Sequence, residues 1–322
     1  MILMVTGSGM KPSFLVKVIN LAHIDINNVS IESIESGGKL SRDITISVLR
    51  LDKIHPVISG NKWFKLKYYL QDAKAKGYNS ILTFGGAFSN HIAATAFAAS
   101  SQQLYSTGII RGEAPGSWSH TLLEAKANGM QLYFVSREEY NVLKRAGDST
   151  MLKKFGNNYT IPEGGYGALG MKGAADILKI VDTSFFTHIV CAVGTGTTIA
   201  GIIKAALPQQ HITGISAMKN NTGLSAEISA LLQVDSLPAN FTLNHDYHFG
   251  GYAKYTTELL CWMNDFFSAS RIPLDFVYTA KAMYGIMDMV AKDYFPPGSK
   301  ILMIHTGGLQ GNLSTKPGLL KF

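Results

Sequence analysis

Short apolar runs alternate with helix-length segments along most of this chain, and that rhythm leaves few folds open. Residues 44–50, 80–84, 105–111 and 130–135 have the length and apolar character of strands. Residues 62–76, 90–100, 118–128 and 137–145 read as helices beside them. The pattern resumes with strands at 187–193 and 211–217 and helices over 197–207 and 224–233. Helices over 171–181, 258–267 and 280–292 and a closing strand at 300–305 complete it. Strands joined through helices run parallel, so the chain predicts an α/β fold with parallel sheets covered by helices on both faces. Residues 159–167 interrupt the rhythm with Ile161-Pro162-Glu163-Gly164-Gly165-Tyr166-Gly167. So many glycines predict a hinge between two α/β units or a close approach to a ligand. Residues 1–43, punctuated by Asn27-Asn28 and Gly37-Gly38, are expected to form short elements over a later core.

Composition narrows the function classes. Hydrophobic residues make up 46% and charged ones 16% of 322, which excludes a disordered chain. The net charge of +7 is spread without runs of like charge or basic-aromatic interleaving. Nucleic acid is therefore not an expected partner, and attraction for small anions is. No apolar run approaches a membrane span, and residues 1–11 lack the pattern of a signal peptide, so a cytoplasmic location is expected. Cys191 and Cys261 form no disulfide framework and are expected as reduced thiols packed in a core. His245 and His248 lie close in sequence but lack a helical pattern or a carboxylate partner, so no metal site is expected.

Three loop-to-helix junctions carry the candidate chemistry. In Ser59-Gly60-Asn61-Lys62 a lysine falls at a helix start, the end of the macrodipole that disfavours a cation. A solvated surface lysine is the plain alternative. Gly194-Thr195-Gly196-Thr197-Thr198 lies between a buried strand and a helix, where backbone N–H groups and threonine hydroxyls would cradle one phosphate. A dinucleotide fingerprint would need glycine where Ile199 stands, and Gly7-x-Gly9 fails likewise at Pro12. Neither has the Gly-Lys-Ser/Thr ending of a P-loop. A merely structural turn remains the alternative. At Phe84-Gly85-Gly86-Ala87-Phe88-Ser89-Asn90-His91, Ser89 or Asn90 would cap a helix. Free N–H groups there would equally hold a carboxylate, and Asn90 would bond a phenolic oxygen.

These motifs, in this order with Asp275-x-Val277-Tyr278-Thr279-x-Lys281 and His305-Thr306-Gly307-Gly308, resemble one family over roughly residues 50–311. It is the fold type II pyridoxal-phosphate enzymes, in the branch of 1-aminocyclopropane-1-carboxylate deaminase and D-cysteine desulfhydrase. The resemblance implies a tryptophan synthase β-like fold, two open parallel-sheet α/β domains with pyridoxal 5'-phosphate between them. It implies a large cofactor-binding domain of residues 1–67 and 161–322, a small inserted domain of residues 68–160, and a homodimer. Lys62 would carry the cofactor covalently and shuttle the substrate proton. Asn90 would bind the ring oxygen, and Gly194, Thr195, Gly196, Thr197 and Thr198 the phosphate. Ser89, with the N–H groups of Asn90 and His91, would hold the substrate carboxylate. Tyr278 would lie over ring and substrate. Tyr252 is matched through Tyr252-Ala253-Lys254-Tyr255, where the family has Tyr-Gly-x-Pro, and ordinary core packing is its rival role.

Two positions separate the branches. Deaminases carry glutamate after the active-site tyrosine, facing the pyridine nitrogen, and His-Leu-Gly-Gly in the last motif; here Thr279 and Thr306 stand there. Without the carboxylate the electron sink is weaker, which suits loss of a good β-leaving group better than opening a cyclopropane. The expected activity is β-elimination from a small amino acid such as D-cysteine, giving pyruvate, ammonia and sulfide. The alternatives are the deaminase reaction to 2-oxobutyrate, or a cofactor-binding protein of this fold without turnover. Leu51, Lys53, Phe64, Ala253 and Ala280 depart from the family pattern and bear on substrate choice.

Overall fold

The computed structural model describes residues 24–34, 43–147 and 150–322. In chain order the first half gives β1 (Ile31–Ile34), β2 (Thr45–Arg50), α1 (Asn61–Ala75), β3 (Ser80–Gly86), α2 (Asn90–Ser101), β4 (Tyr105–Arg111), α3 (His120–Ala127), β5 (Met130–Val135), α4 (Arg137–Ala146) and β6 (Tyr159–Ile161). The second half gives α5 (Ala168–Ala175), β7 (His188–Val193), α6 (Thr197–Ala205), β8 (His211–Ser216), α7 (Leu224–Leu232), β9 (Phe241–Asn244), α8 (Thr257–Ser270), α9 (Thr279–Ala291) and β10 (Lys300–His305).

The strands form two sheets, ordered β1-β2-β10-β7-β8-β9 and β5-β4-β3-β6. Every pair is parallel except β1 on β2, whose register sets Ile31 against Leu49 and Ile34 against Ile46. Central strands are apolar on both faces because each face meets helices. In β7, Val190 and Ala192 join Ile215, Met283 and Ile286 on the α8–α9 side. Ile189, Cys191 and Val193 alternate to the other side and pack with Met171, Ile199 and Ile228 of α5, α6 and α7.

Helix α1 belongs to both cores. Phe64 is buried in the core of the larger sheet, whereas Leu66, Tyr69, Leu70 and Ala73 pack with Ile81, Ala94 and Ile161 against the smaller one. We propose that the division into residues 1–67 with 161–322 and residues 68–160 follows these two cores.

Several expectations need correction. Strands β6 and β9, three and four residues long, are too short to show a period; β6 opens the stretch expected as a glycine-rich interruption, and β9 falls where no element was expected. The helix expected over 171–181 starts at Ala168 and ends at Ala175, giving way to a 3-10 turn over Asp176–Lys179. There the Asp176 carboxylate accepts from Tyr68 Oη, and Lys67 pairs with it from α1. Cys191 is a buried thiol, but Cys261 lies on the exposed side of α8 and is not a core residue. Gly7-x-Gly9 and Gly37-Gly38 lie outside the described residues. No helix among the described residues is long and apolar enough to cross a membrane.

The loop before α1 touches the loop after β10 without room for a side chain. Gly60 has φ +67°, and a Cβ placed on it would lie 1.8 Å from the Thr306 carbonyl oxygen. Gly60→Ala should therefore lower the unfolding free energy by about 3 kcal/mol through overpacking and left-handed strain. An unchanged denaturation midpoint by circular dichroism would show that the loops do not meet this closely.

Candidate active site

The three loop-to-helix junctions converge on one cleft between the two sheets, with a volume of about 1200 Å³. Two of them follow a parallel strand directly, β3 into α2 and β7 into α6; the third, before α1, is backed by the loop at Thr306 that follows β10. Helix N-termini α2 and α6 therefore point first-turn N–H groups, which have no intrahelical acceptor, toward a common space.

Lys62 is the second residue of α1 and lines this cleft. Its Nζ donates to Asn61 Oδ1 at 2.9 Å, and Asn61 Nδ2 donates to Thr198 Oγ1 at 2.8 Å. One amide thus links the lysine to the start of α6, a role for Asn61 that the sequence reading missed. The cleft walls enclose the amine closely, and this desolvation brings its pKa from 10.5 down to about 8, partly opposed by the charge of Asp275. Lys65, one turn later, is buried, and its ammonium donates to the Gly164 carbonyl oxygen. Burial first, then the neighbouring Lys62, pull its pKa well below the ordinary value. Gly164 sits against Thr195, 3.5 Å from a Cβ position to Cγ2, so this second amine is delivered beside the Gly194 loop. The sequence reading gave Lys65 no role.

Ser89 occupies the N-cap position of α2, but its hydroxyl makes no capping bond there. The hydroxyl lines the cleft instead. Asn90 Oδ1 is buried with no hydrogen-bond partner, a costly state unless a ligand donates to it. His91 Nε2 and Thr83 Oγ1 are 2.9 Å apart, and Thr83 donates its own proton to the Ile161 carbonyl at 2.8 Å. The imidazole must then carry its proton on Nε2, which leaves the buried Nδ1 as an unpartnered acceptor. Burial, with Lys65 and Lys62 nearby, keeps this histidine neutral.

In the Gly194 loop, Gly196 adopts φ +77° as the N-cap of α6. Thr195 and Thr198 line the cleft. The Thr197 side chain does not line the cleft: it is buried, with Cγ2 against Gly170 and Oγ1 3.3 Å from Thr195 Oγ1. Tyr278 lies close over Gly194, where a Cβ would come 3.1 Å from the ring. Burial and the neighbouring Tyr252 hold the Tyr278 phenol well above its ordinary pKa, so it stays protonated.

One sequence expectation fails here, and one rival reading is removed. Thr279 does not reach the cleft, because its hydroxyl donates to Asp275 Oδ1 at 2.7 Å and accepts from Asp275 N at 2.7 Å. The Asp275 carboxylate also takes the N–H groups of Val277, Tyr278 and Thr279, an arrangement that shapes the turn presenting Tyr278. Of the two branch-defining threonines, only Thr306 lines the cleft. Tyr252 is not core packing: it is 45% exposed and lines the cleft with its ring 6.0 Å from Tyr278. The loop carrying it is held by buried Lys281, whose Nζ donates to the Gly251 carbonyl at 2.7 Å.

A closely enclosed amine with a pKa near 8 carries a far larger neutral fraction near neutrality than an ordinary lysine does, which suits attack on an aldehyde. Beside it, two helix N-termini and a second lysine suit a phosphate, and an unpartnered amide oxygen awaits a donor. These features fit a phosphorylated aldehyde cofactor. Among the described residues no cluster of His, Cys, Asp and Glu has the makings of a metal site.

A family model described as pyridoxal-phosphate dependent enzyme matches residues 39–307. The mitochondrial bifunctional D-cysteine desulfhydrase/1-aminocyclopropane-1-carboxylate deaminase of Arabidopsis thaliana is 31% identical over 284 residues, 79% of this chain and 70% of that one. The D-cysteine desulfhydrase of Yersinia enterocolitica is 29% identical over 291 residues, 84% of this chain and 87% of that one. A crystal structure described as an ACC deaminase homologue superposes with a TM-score of 0.76 at 29% identity, covering 88% of this chain and 90% of that one.

The electrostatics of Lys62 give a direct test. Competitive acetylation of the cofactor-free protein at increasing pH, with peptide mapping, should show Lys62 gaining reactivity with a midpoint near 8. The sign follows from desolvation, which favours the neutral, reactive amine; a midpoint above about 10, the range of an ordinary lysine, would show that the amine is solvated.

Proposed function

The chain belongs to the pyridoxal-phosphate dependent enzyme family, and from that premise we propose that it is a lyase eliminating the β-substituent of a small amino acid such as D-cysteine. Cysteine and water then give pyruvate, ammonia and hydrogen sulfide. When bound, the cofactor supplies an electron sink for charge developing at the substrate α-carbon. Lys62 holds the cofactor, and its Nζ takes the α-proton, a task suited to an amine with a pKa near 8. Ser89 Oγ and the N–H groups of Asn90 and His91 bind the α-carboxylate. Asn90 holds the cofactor's ring oxygen, whose proton would satisfy the orphaned Oδ1. The loop from Gly194 to Thr198 takes the phosphate with Lys65 beside it. Protonated Tyr278, with Tyr252 at its edge, donates toward the departing group and screens it from water.

One observation carries the choice of reaction. Thr306, at the end of β10, lines the cleft and carries no charge. The nearest buried carboxylate, Asp275, is saturated by Val277, Tyr278 and Thr279. Neither group offers a free carboxylate oxygen to accept from a protonated pyridine nitrogen, so departure of a good leaving group is favoured over opening a cyclopropane. The 1-aminocyclopropane-1-carboxylate deaminase reaction is the second reading, supported by the bifunctional relative. A homodimer is proposed from the family resemblance, and a reducing compartment such as the cytoplasm accords with the free thiols Cys191 and Cys261.

Purified, cofactor-loaded protein should release pyruvate from D-cysteine faster than 2-oxobutyrate from 1-aminocyclopropane-1-carboxylate. The opposite order would move the protein to the deaminase branch while sparing the cofactor site. Lys62→Ala should lose the visible absorbance of the bound cofactor and lower turnover by about 10⁴-fold or more, since it removes both the covalent anchor and the base. Its far-ultraviolet circular dichroism should be retained; an active variant would show that another group moves the proton.

A further inference from the structure

Arg111 ends β4 directly opposite Gly86, its register partner at the end of β3. It thus stands beside the turn that leads into Ser89 and Asn90. Gly86 lacks a side chain, and the guanidinium occupies the space above it, 3.7 Å from the position a Cβ would take to Nη2. The cation is held by an aromatic face, with Cζ 5.6 Å from the ring centroid of buried Tyr140. Glu163, the acid on this side of the cleft, is engaged by Lys144. No carboxylate among the described residues pairs with Arg111. A guanidinium has five fixed donors, and here they border the cleft uncommitted.

The other charges of the cleft have different stations. Lys62 and Lys65 stand at the cofactor end, and Lys219 lies beside Gly251. Arg137 opens α4, and Glu227 lies on α7. Arg111 is the cation beside Gly86, where the chain turns toward the proposed carboxylate loop, and the Tyr252 phenol feels its charge. The ends of neighbouring strands are about 4.8 Å apart, the scale that separates an α-carboxylate from a second anion on the same amino acid's side chain.

We propose that Arg111 is a specificity-determining residue that receives a second anionic group on the substrate's β-substituent, such as a sulfonate, sulfate ester or carboxylate. This deepens the lyase reading and rests on it. The preferred substrates are then amino acids whose β-leaving group departs as an anion beside the guanidinium. For serine O-sulfate, the α-proton goes to Lys62 and the Cβ–O bond breaks with its electron pair leaving on sulfate. Addition of water then yields pyruvate and ammonium, without any oxidant or reductant.

The test compares serine O-sulfate with the neutral β-chloroalanine, each in both configurations, on cofactor-loaded wild-type, Arg111→Gln and Arg111→Lys proteins. The ratio of kcat/KM for the anionic over the neutral substrate should fall about tenfold or more in Arg111→Gln, mainly through KM, and recover partly in Arg111→Lys. An unchanged ratio would overturn the proposal, because a merely structural arginine would affect both substrates alike. If neither substrate is turned over by the wild type, the lyase reading fails separately. Titration of the cofactor's visible absorbance with serine O-sulfate against alanine then decides. Tighter binding of the anion that is lost in Arg111→Gln supports the assignment, and equal binding in both proteins refutes it.

Discussion

The side-chain amide of Asn61 joins the two halves of the chemistry. Its nitrogen donates to Thr198 at the start of α6, and its oxygen accepts from the Lys62 ammonium. The partners are 137 residues apart in sequence, so the bond forms only when α1 is docked against the β7–α6 junction. That docking depends in turn on Gly60, whose backbone lies against the Thr306 carbonyl while Asn61 N donates to the same oxygen at 3.2 Å. The reactive amine, the anion-binding loop and the loop after β10 are therefore fixed relative to one another by backbone contact and one amide. A cluster assembled this way loses little entropy on binding a ligand.

The cleft concentrates positive potential at a cost. Lys62 and Lys65 are both closely enclosed, burial lowers the proton affinity of each, and the charge of Lys62 lowers that of Lys65 further. Left to itself this arrangement would shed protons, and His91 does so completely. A phosphate bound at the Gly194 loop, as proposed, would reverse the balance at Lys65 by supplying the missing counter-charge. Lys62 needs no such compensation, since a neutral amine is the form that its chemistry uses. The same potential draws in amino-acid carboxylates, and Arg111 extends it beyond the cofactor end of the cleft.

Much of this was legible in the sequence where the signal is local. β4, β5 and β10 have the bounds expected of them because each carries an apolar run, Ile109-Ile110 in β4, residues 132–135 in β5 and residues 301–304 in β10, that stops at polar or turn-forming residues. Lys62, Ser89, Asn90 and the loop at Gly194 could be singled out because strand-loop-helix junctions follow from short-range pattern, and all of them line one cleft. What the pattern could not hold is how side chains choose between neighbours brought together by folding. Thr279 follows the tyrosine as in the desulfhydrases, yet its hydroxyl turns back to Asp275 four residues earlier. Thr197 sits within a phosphate-loop motif but packs its methyl on α5. Asn61 looked like a helix-start residue, and its bridging role exists only in three dimensions. Strands β6 and β9 were invisible because three or four residues gain strand character only from the neighbour they pair with.

The account stands or falls on which amine holds the cofactor. Lys62 and Lys65 are one helical turn apart and both are enclosed by the cleft walls, so the distinction is a sharp one. Borohydride reduction of the cofactor-loaded protein, followed by proteolysis and mass spectrometry, identifies the modified residue directly. The structure predicts a single phosphopyridoxyl group on Lys62, with Lys65 unmodified. Labelling at Lys65, or spread over surface lysines, would contradict it.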